Sequence, residues 1–235
     1  MFKKTVLTLM LISAVSLTLI AADKYAILIA GDYTAANVPA DKKWNDGLGN
    51  NTEFWNDLYL QWEMLYNKGY KKENIKVLFA HGTDLWEVPG FGYIDLRYRA
   101  EYVTKVPGEL IVNYPITTTG LNSAISEIHS TSDDFLYVWV MSHGGSSTQS
   151  SIGFIGTGTQ PLFYEMLPSE FAGKINAIPA FKKEIVLSLN YAQGFQNVFT
   201  GSNVRVELSS TNSKAHRADD KTKEEQDNDL YGKQI

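Results

Sequence analysis

Between Asp133 and Gly145 the chain reads Asp-Asp-Phe-Leu-Tyr-Val-Trp-Val-Met-Ser-His-Gly-Gly. Seven apolar or aromatic residues, Phe135 to Met141, follow one another without a polar break. A run this short, rich in Val and aromatics and bounded by Asp and Gly, predicts a strand buried on both faces. A strand of that kind needs a layer above it and a layer below it. It runs into Ser142 and His143, then two glycines that free the backbone to turn. A histidine carried past the C-terminal end of a central strand sits where open α/β sheets bind ligands. The same histidine also reads as an ordinary turn residue.

The rest of the chain supplies matching elements. Lys24 to Ala30 is a second continuous apolar run and predicts the first strand, ended by Gly31-Asp32. Residues 33–50 are polar and loop-like. Phe54, Trp55, Leu58, Trp62, Leu65 and Tyr66 recur at helical spacing, so a helix is expected over about 52–67, stopped by Gly69. Ile75 to Ala80 is the next strand, and together these make a βαβ unit. Residues 81–116 lose the rhythm. Trp86, Tyr93 and other aromatics there either pack an insertion onto the body or line a groove. A second helix is expected from Thr119, with Leu121, Ala124, Ile125 and Ile128 as its stripe and His129 at its end. Residues 146–166 suit a small hairpin beside the His143 loop. Pro168-Ser169-Glu170 opens a third helix, with Ser169 as its expected cap. Glu184 to Leu189 and Val204 to Leu208 are further strands. Strands alternating with helices predict an α/β three-layer sandwich with a mostly parallel sheet of about five to six strands.

The 235 residues, 44% hydrophobic and 20% charged, fit one globular domain. A net charge of −5 argues against a nucleic-acid partner. Met1 to Ala22 has the build of an export signal: Lys3 and Lys4, the apolar run Thr5 to Ile20, then Ala21-Ala22. The run falls a little short of the ~20 residues of a spanning helix. Residues 1–22 are therefore expected to be a signal peptide, or else an uncleaved anchor, the one case in which a membrane contact is expected. The exported domain is expected over 23–212. Residues 213–235 form a charged tail without apolar period, expected to be disordered. No metal or other cofactor is expected, since His81 and His216 have no partners at ligand spacing.

Two strand ends stand out: His143-Gly144, and Asn190 in Ser-Leu-Asn-Tyr-Ala-Gln-Gly-Phe, residues 188–195. Their order resembles the cysteine peptidases of the caspase, metacaspase, legumain and gingipain fold, over roughly residues 24–211. In that family a histidine follows one apolar strand as His-Gly and a cysteine follows the next core strand. The resemblance implies that His143 is the acid–base residue. It implies that the Gly144 N–H helps hold the oxyanion. Asn190 falls where the family has its cysteine. Asp32, Ser209, Ser210 and Thr211 fall near the family's substrate pocket.

This chain contains no Cys. A carboxamide is a poor nucleophile, and an imidazole alone supplies about 10²–10⁴-fold. An enzyme commonly supplies at least ~10⁶-fold. The expectation is thus a pseudopeptidase that binds peptide or protein. Competing readings are an unorthodox nucleophile such as Ser188, an engineered Cys-to-Asn form, and an adhesion or scaffold module acting through the aromatic insertion. Asn190 by itself also reads as a turn residue that accepts the left-handed conformation.

Overall fold

Continuous apolar strands can be satisfied only between two layers, and the central strands here alternate their side chains between two separate cores. The computed structural model describes residues 22–31, 50–79, 82, 84, 110–142, 144–146, 148–155 and 163–209. Among these residues the strands are β1 (Lys24–Gly31), β2 (Ile75–Phe79), β3 (Phe135–Ser142), β4 (Gly144–Ser146), β5 (Gln149–Ile155), β6 (Phe163–Met166), β7 (Lys182–Leu189) and β8 (Val204–Leu208). The helices are α1 (Asn50–Asn67), α2 (Thr118–Ser126) and α3 (Pro168–Asn176).

Five strands form one sheet in the order β2-β1-β3-β7-β8, every neighbouring pair parallel. Ala26, Leu28 and Ala30 of β1 join Val77, Phe79, Tyr137 and Trp139 against Leu58, Tyr59, Trp62 and Leu65 of α1. Ile27, Ile29, Val138, Val140, Ile185 and Leu187 face the other way. They pack with Leu121 and Ala124 of α2 and with Phe171 and Ile175 of α3. The molecule is thus a three-layer α/β sandwich, as the strand and helix alternation predicts. The remaining strands, β4-β5-β6, make a small antiparallel sheet. Among the described residues, no helix is long and apolar enough to cross a membrane.

The helix ends follow local chemistry. At the end of α1, Gly69 takes φ +82°, and the Gly69 and Tyr70 N–H groups donate to Tyr66 and Leu65 carbonyls at 3.0 and 3.1 Å. This is the glycine-terminated closure of an α-helix that Gly69 predicts. The Thr117 hydroxyl caps α2 by accepting from the Gly120 N–H at 2.9 Å. For α3 the expected Ser169 cap is wrong. Leu167 occupies the cap position without a side-chain bond, and Pro168 takes the first turn, where its missing N–H is harmless. The C-terminal carbonyls of α3 are instead satisfied by buried Lys183, which donates to Ile175 and Asn176 at 3.1 and 2.9 Å. Burial lowers the Lys183 pKa. Trp86 and Tyr93, the first 21 residues and the residues beyond 209 lie outside the described residues.

Asp134 fixes the start of the two central strands. Its carboxylate accepts from the Asp23 N–H at 2.7 Å and from the Thr131 N–H and hydroxyl at 2.7 and 2.9 Å. Burial alone would raise its pKa, but the bonds from Thr131 and Asp23 outweigh that and hold it below the usual carboxylate range. Glu127 is also lowered, first by Lys76, whose Nζ donates at 2.6 Å, and next by the Tyr114 hydroxyl. Burial and that same contact push Tyr114 up to about 12. A carboxylate with a depressed folded pKa stabilises the fold above its unfolded value of about 4 and ceases to as pH falls through the folded one. Urea titration should therefore show stability falling below about pH 4. Asp134→Asn should remove about 2–3 kcal/mol at neutral pH and flatten that acid slope. An unchanged slope would contradict this account of Asp134.

Candidate functional site

The strand order places the candidate site. From β1 the chain passes outward to β2 and then back across to β3 on β1's other side. The carboxyl ends of β1 and β3 thus flank the point at which the winding reverses, the usual ligand crevice of an open α/β sheet. Asp32 and His143 are the residues next after these two strands. Both lie outside the described residues, as do Ser210 and Thr211.

The described backbone nevertheless fixes which strand ends meet. β3 and β7 run in parallel register to their last rung, Ser142 opposite Leu189. The next positions in sequence are 143 and 190. One residue further on, the backbone of Gly144 lies directly on that of Asn190. A Cβ at Gly144 would fall 1.7 Å from the Asn190 carbonyl oxygen, an impossible contact. Only a residue without a side chain lets the chain leave β3 and cross Asn190 at this height. Gly144 then opens β4, which pairs with β5 at Ile152. Gly145 is confined in the same way, because its Cβ would fall 1.9 Å from the Gln149 carbonyl oxygen.

β5 in turn holds the loop that follows β7. The Ser150 hydroxyl accepts from the Gly194 N–H at 2.7 Å and donates to the Tyr191 carbonyl. A Cβ at Gly194 would approach Ser150 to 2.8 Å. Tyr191, not Asn190, adopts the left-handed conformation, with φ 52° and ψ 44°. The turn reading of Asn190 is misplaced by one residue. A bulky aromatic at positive φ is uncommon and costs roughly 1–3 kcal/mol unless its surroundings impose it. The bracing from Ser150 and the burial of Ala192 and Phe195 behind it supply that constraint. Half-buried Asn190 is thus presented at the head of a strained, braced turn.

Two further residues can be placed. Ser209 extends β8, with its N–H donating to the Leu187 carbonyl at 3.0 Å. Its hydroxyl accepts from the Leu189 N–H at 3.0 Å and donates to the Leu189 carbonyl at 3.2 Å. That hydroxyl braces the strand bearing Asn190. Ser188 is buried opposite Met141, and its Oγ has no hydrogen-bond partner among the described residues. A serine nucleophile needs an adjacent base, and none contacts this one there. No group of three or more His, Cys, Asp or Glu that could hold a metal comes together among the described residues. A cleft lined by Tyr70, Phe135, Tyr137, Lys182 and Glu184 lies at the opposite, N-terminal ends of β3 and β7. Burial there pushes the Tyr70 and Tyr137 hydroxyls up.

Sequence reasoning did not identify Ser150. It is one hydroxyl in a Ser- and Thr-rich stretch, and nothing local distinguishes it from its neighbours. A scan of known protein families finds none whose model matches the chain. A search of curated proteins finds no match either.

Gly144→Ala should cost roughly 2–3 kcal/mol or prevent folding, because the added methyl meets backbone that cannot rotate away. Gly173→Ala is its control, on the open surface of α3 with nothing within 4 Å of the new Cβ. It should be neutral or mildly stabilising, by up to ~1 kcal/mol. Chemical denaturation compares the two. A well-tolerated Gly144→Ala would show that the two loops do not meet.

Proposed function

We propose that this chain is an exported peptidase-like protein of caspase–legumain architecture that binds peptide or protein ligands without cleaving them. The observation that carries this reading is the seating of Gly144 on the Asn190 backbone at the carboxyl ends of neighbouring parallel strands. Gly144 follows His143 directly in sequence, and its contact with Asn190 supports a crevice shared by positions 143 and 190. The resembled family carries an imidazole and a thiolate at these positions. Here the second position offers a carboxamide, and the chain has no thiol anywhere.

The chemistry then divides into what is kept and what is lost. An imidazole at 143 is able to donate to or accept from a bound peptide. The Asn190 carboxamide is able to hydrogen-bond a peptide carbonyl and N–H together. Neither attacks a carbonyl carbon at a useful rate, so no covalent intermediate forms. Binding is retained while turnover is absent.

The test is Asn190→Cys. The wild-type chain should leave fluorogenic peptides ending in Lys, Arg, Asn or Asp intact. The variant should hydrolyse at least one of them, and His143→Ala in that background should abolish the gain. Hydrolysis by the wild type that disappears on His143→Ala or Ser188→Ala would overturn the reading. So would a folded Asn190→Cys variant that cleaves none of the four.

A further inference from the structure

The cleft at the N-terminal ends of β3 and β7 lies away from the crevice at their carboxyl ends, and the proposed function makes no use of it. It forms where the α1 layer runs out. The core under α1 draws on β1, β2 and β3, and from β7 takes only the half-buried Val186. Gly69 ends α1 at positive φ, and Tyr70, the next residue, lines the cleft. β3 and β7 line the rest in parallel register, with Phe135 beside Lys182 and Tyr137 beside Glu184. Residues two apart on a strand share a face, about 6.6 Å apart. One strand thus supplies aromatic rings, and its neighbour supplies one charge of each sign.

The charges are not spent on each other's neighbours. Arg205 lies 3.6 Å from Glu184, beyond hydrogen-bond reach, and contacts Glu207 instead. Lys182 forms no ion pair among the described residues. Burial raises the pKa of both the Tyr70 and Tyr137 hydroxyls, and the Glu184 carboxylate raises them further, so its field reaches both side chains. Tyr70 already attracts a cation: Lys24 Nζ, which does not line the cleft, lies 5.6 Å from its ring centroid.

These walls select a kind of cation. A primary ammonium brings three N–H donors that need acceptors. The Tyr137 hydroxyl is engaged with Gln61, which leaves Glu184 as the one charged acceptor. An alkylated ammonium has few or no donors to satisfy and is held by ring faces and a carboxylate. The volume, about 230 Å³, is below the roughly 300–1,000 Å³ of drug-sized pockets, so the ligand is small. Lys182, one rung along from Glu184, suits an anionic group on the same molecule. We propose that this cleft binds a small soluble zwitterion of the betaine type, with its alkylated ammonium among Tyr70, Tyr137 and Glu184 and its anionic group at Lys182.

Isothermal titration of the purified full chain tests this, with glycine betaine and phosphocholine as probes. At least one should bind saturably, one per chain. Tert-butylacetate, which has carbon in place of the ammonium nitrogen of betaine, should not bind. For the probe that binds, Glu184→Gln and Tyr70→Leu should each weaken binding about tenfold, while Tyr70→Phe keeps it. Lys182→Gln should weaken it about threefold, as befits an exposed lysine. Circular dichroism melts report that each variant is folded. Failure of both probes to bind the wild type overturns the proposal. So does equal binding of tert-butylacetate, or undiminished binding by folded Glu184→Gln. Capture by phosphatidylcholine vesicles without binding of either free probe would also overturn it.

Discussion

The crossing of Gly144 over the Asn190 carbonyl is the contact on which the candidate site depends. Two parallel strands of equal reach would otherwise deliver their next residues into separate loops. Here the chain leaving β3 turns back at once into β4, at a distance that excludes even a methyl group. β4 pairs with β5, and β5 reaches the other loop through the Ser150 hydroxyl. The small antiparallel sheet therefore works as a brace. It holds the end of β3, the strained Tyr191 turn and the first residues after β7 in one arrangement. Ser209 completes the support from the opposite side by bonding both backbone groups of Leu189.

The fold was largely legible because its signals are long and mutually consistent. Phe135–Met141 and Lys24–Ala30 are too apolar to be anything but central strands, and both are. The α1 stripe of Leu58, Trp62 and Leu65 was readable from spacing, and Gly69 marked its end. Short-range detail was less legible. Ser169 resembles a cap, but Pro168 already sets the first turn, and the preceding leucine takes the cap position. Asn190 resembles the left-handed residue of its turn, yet the strain falls on Tyr191, because tertiary contacts through Ser150 override the local preference. β4 was invisible in sequence, since three residues of Gly and Ser carry no period.

The candidate site was legible only in part, for a physical reason. Sequence order shows that a histidine and an asparagine follow successive core strands. It does not show that the strands are neighbours, which the parallel β3–β7 register supplies. Nor does it show what holds the loops together, because a long-range serine hydroxyl leaves no local trace. The proposed function rests on that adjacency combined with the absence of cysteine from the sequence. On that proposal, an amide where the resembled family has a thiolate would keep polar recognition and remove nucleophilic attack.

The adjacency is tested most directly by disulfide trapping, since a chain without cysteine gives an unambiguous result. His143→Cys and Asn190→Cys are introduced together and free thiols are counted after mild oxidation. The last described rung pairs Ser142 with Leu189, so the next positions of two neighbouring strands are expected within the roughly 4.4–6.8 Å that a disulfide spans. The account predicts an intramolecular bond and no free thiol in a folded chain. Two titratable thiols that persist under oxidation would separate the two strand ends and contradict it.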